Sequence, residues 1–218
     1  MPDVKRRVAK RQPYRSALRA AQARQTRLRI LDAASGLFAE RGYVAATMDA
    51  IAAAAGVAVD TVYAAFGAKR GLLSALIDQG VIGPDATGPV LEQEAPQAVF
   101  RERDARRQVA MFAADIATRI ERVRPLDDIL QSAVAVDGDA AELRKQLRES
   151  RYANLRGFAA ALAANDGLRD ELTIDDAATL IWTLTSSEVN RLLRDVRGLS
   201  LEDYVEWLSD TLTRTLLR

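Results

Sequence analysis

The hydrophobic positions of this 218-residue chain recur at the spacing of amphipathic helices. Residues 24–41 carry apolar side chains on one side of a helix that Gly42 should end, and residues 69–81 repeat the pattern. No alternating apolar and polar segment of useful length and no internal repeat is present. We therefore predict an all-α fold.

The C-terminal half continues the helical pattern. Apolar positions over residues 109–123 predict a helix that stops at Pro125, because proline lacks the backbone N–H of a helix interior. A shorter helix over residues 126–134, stopping near Gly138, and a long one over 143–162 follow. Two further helices, over 174–196 and 201–217, are predicted from capping boxes, Thr173 with Asp176 and Ser200 with Asp203.

Two short helices joined by a tight turn are predicted between residues 47 and 67. Thr47 suits an N-cap and Asp49 the first turn, where a negative charge favours the helix dipole. Gly56 suits the C-cap, and a second short helix then runs to Phe66. This is the pattern of a helix-turn-helix.

The spacing of three residues within this segment carries a family resemblance. Gly56–Leu73 resembles the DNA-binding signature of TetR-type transcriptional repressors, in which a Tyr, a Phe and a Lys recur three residues apart: Tyr63, Phe66 and Lys69. Arg29–Ala34 and Phe38–Tyr43 look like that family's first helix. The resemblance is close over about residues 24–80. The residue before Lys69 departs from the family's Ser or Asn, which predicts a weaker cap for the next helix.

These observations predict four segments. Residues 1–23 form a basic, flexible arm, and residues 24–81 form a three-helix DNA-binding domain with the helix-turn-helix. Residues 82–97 form a linker, because three of the six prolines fall there. Residues 98–218 form a helical regulatory and dimerisation domain, where the resemblance implies ligand binding.

DNA contacts are predicted from residue type. Tyr63, Lys69 and Thr47 are suited to phosphate oxygens, although Tyr63 is alternatively a half-buried aromatic. The base-reading positions should be early in the second short helix: Ala58, Val59, Asp60, Thr61 and Ala64. This helix has no Arg, Lys, Asn or Gln for a bidentate base contact. Specificity should therefore be shared with the basic arm, DNA shape or bridging waters.

The distribution of charge supports a polyanionic partner. Residues 1–29 hold ten Lys or Arg against one acid, which makes this segment +9, and since the whole chain is +1 the remainder carries −8. We predict that the arm contacts DNA through four arginines, Arg15, Arg19, Arg24 and Arg27. The alternative is a solvated tail without a partner.

The missing residue types restrict the function. Without cysteine or histidine the chain has no disulfide, thiolate nucleophile, zinc finger or Ser-His-Asp triad, so an enzyme is disfavoured. No cofactor or metal is predicted, since the pairs Asp127–Asp128 and Asp175–Asp176 are interpreted as acids that open helices. No membrane-spanning segment or secretory signal is recognised, and we expect a cytoplasmic protein.

The body is predicted to hold a dimer interface and a pocket. The last two helices are apolar on more than one side, and the resemblance implies a homodimer that pairs them in a four-helix bundle through Leu184, Leu192, Tyr204, Leu208 and Leu212. The alternative is burial within one monomer. The resemblance also implies a pocket for a small-molecule effector. We predict that it is lined by Met111, Phe112, Ile116, Tyr152, Phe158 and Trp182, with Arg119 or Asn154 as polar anchors, and the aromatic and aliphatic bias of these residues indicates a largely apolar ligand.

The sequence thus favours a TetR-type homodimeric repressor that an effector releases from double-stranded operator DNA. An effector-independent or nucleoid-associated DNA-binding protein is the alternative.

Overall fold

A computed structural model describes residues 12–83 and 88–218, with side chains described from Leu18 onward. Ten α-helices occur in these residues: α1 Gln12–Ala45, α2 Met48–Ala55, α3 Val59–Phe66, α4 Lys69–Ile82, α5 Glu94–Arg101, α6 Ala105–Val134, α7 Gly138–Ala164, α8 Ile174–Leu184, α9 Ser187–Arg191 and α10 Leu201–Leu216. A 3₁₀ turn precedes α5 and a π-helical turn follows α9. No strand occurs in the described part, which confirms the all-α prediction.

The predicted helix ends of the N-terminal part are confirmed. The Thr47 hydroxyl accepts a hydrogen bond from the backbone N–H of Ala50 at 3.1 Å. Gly56 adopts the left-handed conformation with φ 65°, and Gly42, with φ 73°, interrupts the helical backbone of α1. Ala68 makes no side-chain cap for α4, as its missing hydroxyl or amide predicts. Both capping boxes of the C-terminal half are also formed.

The start of α1 differs from the prediction. The helix begins at Gln12, so residues 12–23, predicted to belong to a flexible arm, are helical. Residues 18–25 are exposed on every side, and a helix without a buried face has no apolar stripe to reveal it. Residues 1–11 of the predicted arm lie outside the described residues.

Three other predicted boundaries, two of helices and one of the linker, were wrong. α6 runs through Pro125, because the residues on both sides of the proline pack into cores, as Ala117 in one core and Leu130 in the other show. The helix predicted over 174–196 breaks after α8, where the Ser186 hydroxyl caps a new helix. α5 begins at Glu94, inside the predicted linker, and Pro84 of that linker lies outside the described residues.

Two hydrophobic cores organise the described residues. The first joins α1–α4 to α6 and α7 through Leu130, Ala133, Ala140 and Leu143. The second lies among α5, α6, α7, α8 and α10. α6 and α7 contribute to both cores. The helix-turn-helix is therefore packed directly against the body.

No single helix among the described residues is long and apolar enough to cross a bilayer, and only the bent pair of α2 and α3 reaches that length and composition together.

Candidate nucleic-acid interface and the adjoining cavity

The helix-turn-helix is formed by α2 and α3, which are bent by 107° relative to each other. The apolar face predicted for α2 is buried, and Ile51 is fully buried. Val62 anchors α3 on the same core with no exposed surface. Since one face of α3 is fixed inside, its opposite face must point outward.

The predicted base-reading residues lie on or beside that outward face. Ala58, Asp60, Thr61 and Ala64 are exposed, whereas Val59 is half-buried and packs against the first core. The Tyr63 side chain is 49% exposed, so it is not a half-buried core aromatic. α3 therefore presents a short, mostly uncharged surface with one carboxylate and two hydroxyls.

The residues predicted to contact phosphate differ in how many of their hydrogen-bonding groups are already used within the chain. Thr47 is exposed, but its hydroxyl oxygen already caps α2. Lys69 donates from Nζ to the carbonyls of Tyr43 at 2.8 Å and Val44 at 3.2 Å, and it lies 4.4 Å from the centre of the Tyr43 ring. Burial lowers the pKa of Lys69. Lys69 thus ties α4 to the end of α1, with one of its three N–H donors left over.

The predicted arm arginines fall into two groups. Arg19 and Arg24 are exposed on the outer turns of α1, and the side chain of Arg15 lies outside the described residues. Arg27 instead donates to the Ala65 carbonyl at 3.0 Å and lies 4.2 Å over the Phe66 ring. Arg27 therefore holds the C-terminal end of α3 against α1, a positioning role that no spacing in the sequence revealed.

Gly71 is a second residue of this region that the sequence reasoning missed. A Cβ at Gly71 would stand 2.0 Å from the carbonyl oxygen of Phe66, far below van der Waals contact. Glycine therefore permits the close approach of α4 to the end of α3.

A cavity of about 810 Å³ lies beneath this region, between α4 and the body helices. Six of the eight predicted pocket residues line it: Phe112, Ile116, Arg119, Asn154, Phe158 and Trp182. Met111 and Tyr152 do not line it and instead pack at the edge of the second core, where the Tyr152 hydroxyl lies 3.5 Å from the Asp175 carbonyl oxygen.

The cavity borders the helix that leads out of the DNA-binding domain. Ile77, Asp78, Val81 and Ile82 of α4 form part of its wall, and burial raises the pKa of Asp78. Arg119 is nearly buried, forms two hydrogen bonds with Asp115 at 2.8 and 2.9 Å, and donates to the Val81 carbonyl.

A second arginine of α6 reinforces this contact. Arg122 donates to the Gly80 carbonyl at 2.8 Å and to the Val81 carbonyl at 3.3 Å. These carbonyls belong to the last turn of α4, where a helix leaves its C=O groups without intrahelical donors. Two side chains of α6 therefore hold the end of α4, and one of them lines the cavity.

Three of the predicted dimer residues point inward. Tyr204, Leu208 and Leu212 are fully buried within this chain, so assigning them to a dimer interface was wrong. Their four-residue spacing places them on one face of α10, which packs on α6. Leu184 is half-buried and Leu192 is 58% exposed. Nearby exposed apolar side chains, outside the five predicted interface residues, are Val196, at 71% exposure, and Leu201, at 37%.

The aspartate pairs do not gather into a metal site. Asp175 pairs with Arg156 at 2.6 Å, and Asp176 caps α8. Asp127 and Asp128 lie inside α6 because that helix continues through Pro125, so the interpretation that they open a helix was wrong. The described residues contain no group of three or more carboxylates arranged to hold a metal ion.

The comparisons with known proteins agree with this geometry. Residues 30–76 match the family described as bacterial regulatory proteins, tetR family. No protein with a curated description matches the chain in sequence. The chain is similar in fold to NalD, the secondary repressor of the MexAB-OprM multidrug efflux pump in Pseudomonas aeruginosa, with 23% identity and a TM-score of 0.67 over 89% of this chain and 98% of NalD.

Two further solved structures share the fold. SmeT, in a complex with triclosan, is 20% identical with a TM-score of 0.69, over 89% of this chain and 92% of SmeT. The TetR-family transcriptional regulator PfmR from Thermus thermophilus is 21% identical with a TM-score of 0.58, over 87% of this chain and 99% of PfmR. The resemblance to TetR-type proteins is therefore confirmed in the helix-turn-helix sequence and in the fold.

Proposed function

We propose that this chain, whose residues 30–76 match the tetR family and whose fold is that of TetR-family transcriptional regulators, is a homodimeric repressor released from its operator by a small molecule. The observation that carries the proposal is the outward face of α3. The residues on this face are exposed, while Val62 on the opposite face of α3 is buried in the core. This arrangement lets a recognition helix enter the major groove.

The DNA contacts follow from what each exposed group offers. Tyr63 and Thr47 donate to phosphate oxygens and set the position of the protein on the duplex. Asp60 accepts from a cytosine amino group, Thr61 bonds to a base or a phosphate, and Ala64 touches a thymine methyl. Arg19 and Arg24 supply the positive charge that α3 lacks.

A twofold dimer places two copies of α3 on one face of the DNA. Half-sites about 34 to 36 Å apart are then expected, one turn of B-DNA. The exposed apolar side chains of Leu192, Val196 and Leu201 support a partner in this region. The interface is accordingly expected to involve Leu192 and Leu184, and not the buried face of α10.

Release by an effector is supported by the position of the cavity. A ligand in it touches α4 directly, and it touches Arg119, which holds the Val81 carbonyl. Any ligand that changes this contact shifts the end of α4 and with it the spacing of the two recognition helices. SmeT, a solved structure with a similar fold, forms a complex with triclosan.

The test is selection of bound sequences from a random DNA pool with the full chain at near-physiological salt. A palindromic motif supports the repressor, and repeating the selection with Asp60→Ala should change the preferred bases within each half-site. Enrichment of A/T content alone contradicts it and favours a nucleoid-associated protein that reads DNA shape.

The second part of the test measures release from the selected operator. A compound that binds the cavity should lower operator affinity, and an affinity unchanged by every bound compound contradicts the effector role. Within this proposal the protein is a regulator and not an enzyme, requires no cofactor, and acts in the cytoplasm where its DNA is found.

A further inference from the structure

A group of arginines interrupts the mostly apolar lining of the cavity. Arg144, Arg148 and Arg151 of α7 line it. We propose that the ligand of this cavity is an amphipathic anion whose carboxylate, or another acid group of similar charge, binds Arg144 and Arg151 while its apolar body lies against Phe112 and Phe158. The identity of this ligand as an effector rests on the proposed function, but the anion site does not.

Arg144 is a buried cation with an unused donor. Only 8% of the residue is exposed, and its Nε is buried without a hydrogen-bond partner in the described part of the chain. Its single ion pair is a long one, from Nη2 to Glu188 Oε1 at 3.4 Å. A buried N–H without an acceptor destabilises the free protein, and because this Nε has less than 1 Å² of accessible surface, the guanidinium must turn toward the cavity to meet an incoming oxygen.

Arg151 is a partly buried cation without an ion-pair partner among the described residues. It donates to the Trp182 carbonyl at 3.2 Å and to the Thr185 carbonyl at 2.7 Å, and both acceptors are neutral. No carboxylate among the described residues lies within ion-pair distance of it. Burial lowers the pKa of Arg151 to about 10, which still leaves it charged at neutral pH.

Four carboxylates line the cavity, Asp78, Asp115, Asp127 and Glu188, and only Glu188 pairs with the arginines of α7. Asp115 is held by Arg119 in two hydrogen bonds, and Glu188 is shared between Arg144 and Arg148 at 3.4 and 3.6 Å. The charges of Glu188 and, to a lesser extent, Asp127 oppose the lowering of the Arg151 pKa by burial, but neither carboxylate pairs with Arg151. A buried guanidinium is stabilised by a close anion, so a ligand that brings one has an advantage over a neutral ligand of the same shape.

The remaining wall suits an apolar body. The rings of Phe112 and Phe158 stack with their centres 4.0 Å apart, and Ile116, Leu147 and Leu155 extend the surface. The cavity volume of about 810 Å³ accommodates a molecule the size of a substituted naphthalene. A single acid group on such a body matches a lining that combines arginines with apolar side chains.

The experiment compares two fluorescent probes of nearly the same shape. 1-Anilinonaphthalene-8-sulfonate carries an acid group, and N-phenyl-1-naphthylamine is the same molecule without it. Direct titration of the full chain should give an affinity for the sulfonate about tenfold or more above that for the amine, the effect expected of a charge-assisted hydrogen bond. Equal affinities overturn the proposal.

Substitutions test whether the anion binds to Arg144 and Arg151. Arg144→Met should reduce sulfonate affinity about tenfold while changing amine affinity less than threefold, and Arg151→Met should act in the same way. Arg106→Met on the exposed surface of α6 is the control and should change neither. If Arg151→Met fails to fold, as thermal unfolding followed by circular dichroism would show, Arg144→Met alone decides. Sulfonate affinity unchanged by Arg144→Met overturns the proposal.

Failure of this inference is separable from failure of the proposed function. If both probes bind equally well and both release operator DNA, the anion site is contradicted and the effector role is supported. Selective binding of the sulfonate that requires Arg144 but leaves the operator complex unchanged establishes the anion site and contradicts the effector role for that probe.

Discussion

Lys69 at the start of α4 donates from Nζ to the backbone carbonyl of Tyr43 at the end of α1, at 2.8 Å. The same ammonium lies 4.4 Å from the centre of the Tyr43 ring. A lysine that is predicted from its residue type to contact phosphate is therefore also a link between the first and fourth helices. The two roles make different predictions.

Lys69→Met should lower the free energy of unfolding by about 1 to 2 kcal/mol, because charge-assisted hydrogen bonds to two carbonyls are lost. Urea unfolding followed by circular dichroism measures the change. Lys145→Met, at an exposed position on α7, is the control and should stay within about 0.5 kcal/mol of wild type. A fully stable Lys69→Met protein with weakened DNA binding would leave only the phosphate role.

The stability of the protein at alkaline pH tests Tyr43, the other partner of this pair. Burial, followed by the charges of Asp137 and Asp139, raises the pKa of Tyr43 from 10.0 to about 12. Because the folded pKa is the higher one, the stability linked to the protonated phenol is present below pH 10 and is lost as the pH rises towards 12.

The expected loss is on the order of 2 kcal/mol across that interval, and Tyr43→Phe should remove it. Lys69 acts with the opposite sign, since its lowered pKa makes stability rise with pH in the range where it titrates. The difference between wild type and Tyr43→Phe at each pH isolates the tyrosine. Parallel stability curves above pH 10 would contradict the prediction.

Gly71→Ala should destabilise the protein by about 2 kcal/mol or more, since the added Cβ overlaps the Phe66 carbonyl and forces α4 away from α3. Thermal or urea unfolding measures the effect. Gly36→Ala is the matched control in the same domain, because nothing lies within 4 Å of a Cβ there. That substitution should stabilise α1 by about 0.5 to 1 kcal/mol, and similar effects at both glycines would contradict the steric argument.

Tyr63→Phe should weaken binding to operator and to random DNA alike, by roughly 1 kcal/mol or about fivefold, because one phosphate hydrogen bond is lost. Fluorescence anisotropy with both DNAs measures it. Tyr152→Phe, in the body, should change neither affinity. A loss confined to the operator would show that Tyr63 reads bases.

The outer turns of α1 are tested through the salt dependence of DNA binding. Arg19→Gln combined with Arg24→Gln should reduce the slope of log affinity against log salt by about two units, close to one for each lost phosphate contact. Arg106→Gln combined with Lys145→Gln changes the net charge equally at exposed sites on the body. If both double variants give the same slope, the arginines of α1 do not meet the phosphates.

Much of the candidate interface could be predicted because its signals are local. The hydroxyl of Thr47 meets an N–H three residues away, and Gly56 supplies the left-handed residue after α2. Predicted positions on α3 are exposed because Val62 is the residue that anchors it. The contacts of Arg27 and Lys69 could not be predicted, since they join residues 38 and 26 positions apart.

By itself the sequence determined the all-α fold, the helix caps, the helix-turn-helix and its family resemblance, because each depends on residues within a few positions of one another. The tertiary structure alone decided that Tyr204, Leu208 and Leu212 face inward and that Arg144 and Arg151 meet at a cavity. The physical reason is that an apolar helical face is stabilised equally well by packing against its own core or against a partner. The charge of a distant arginine, in turn, has no effect on local helix formation.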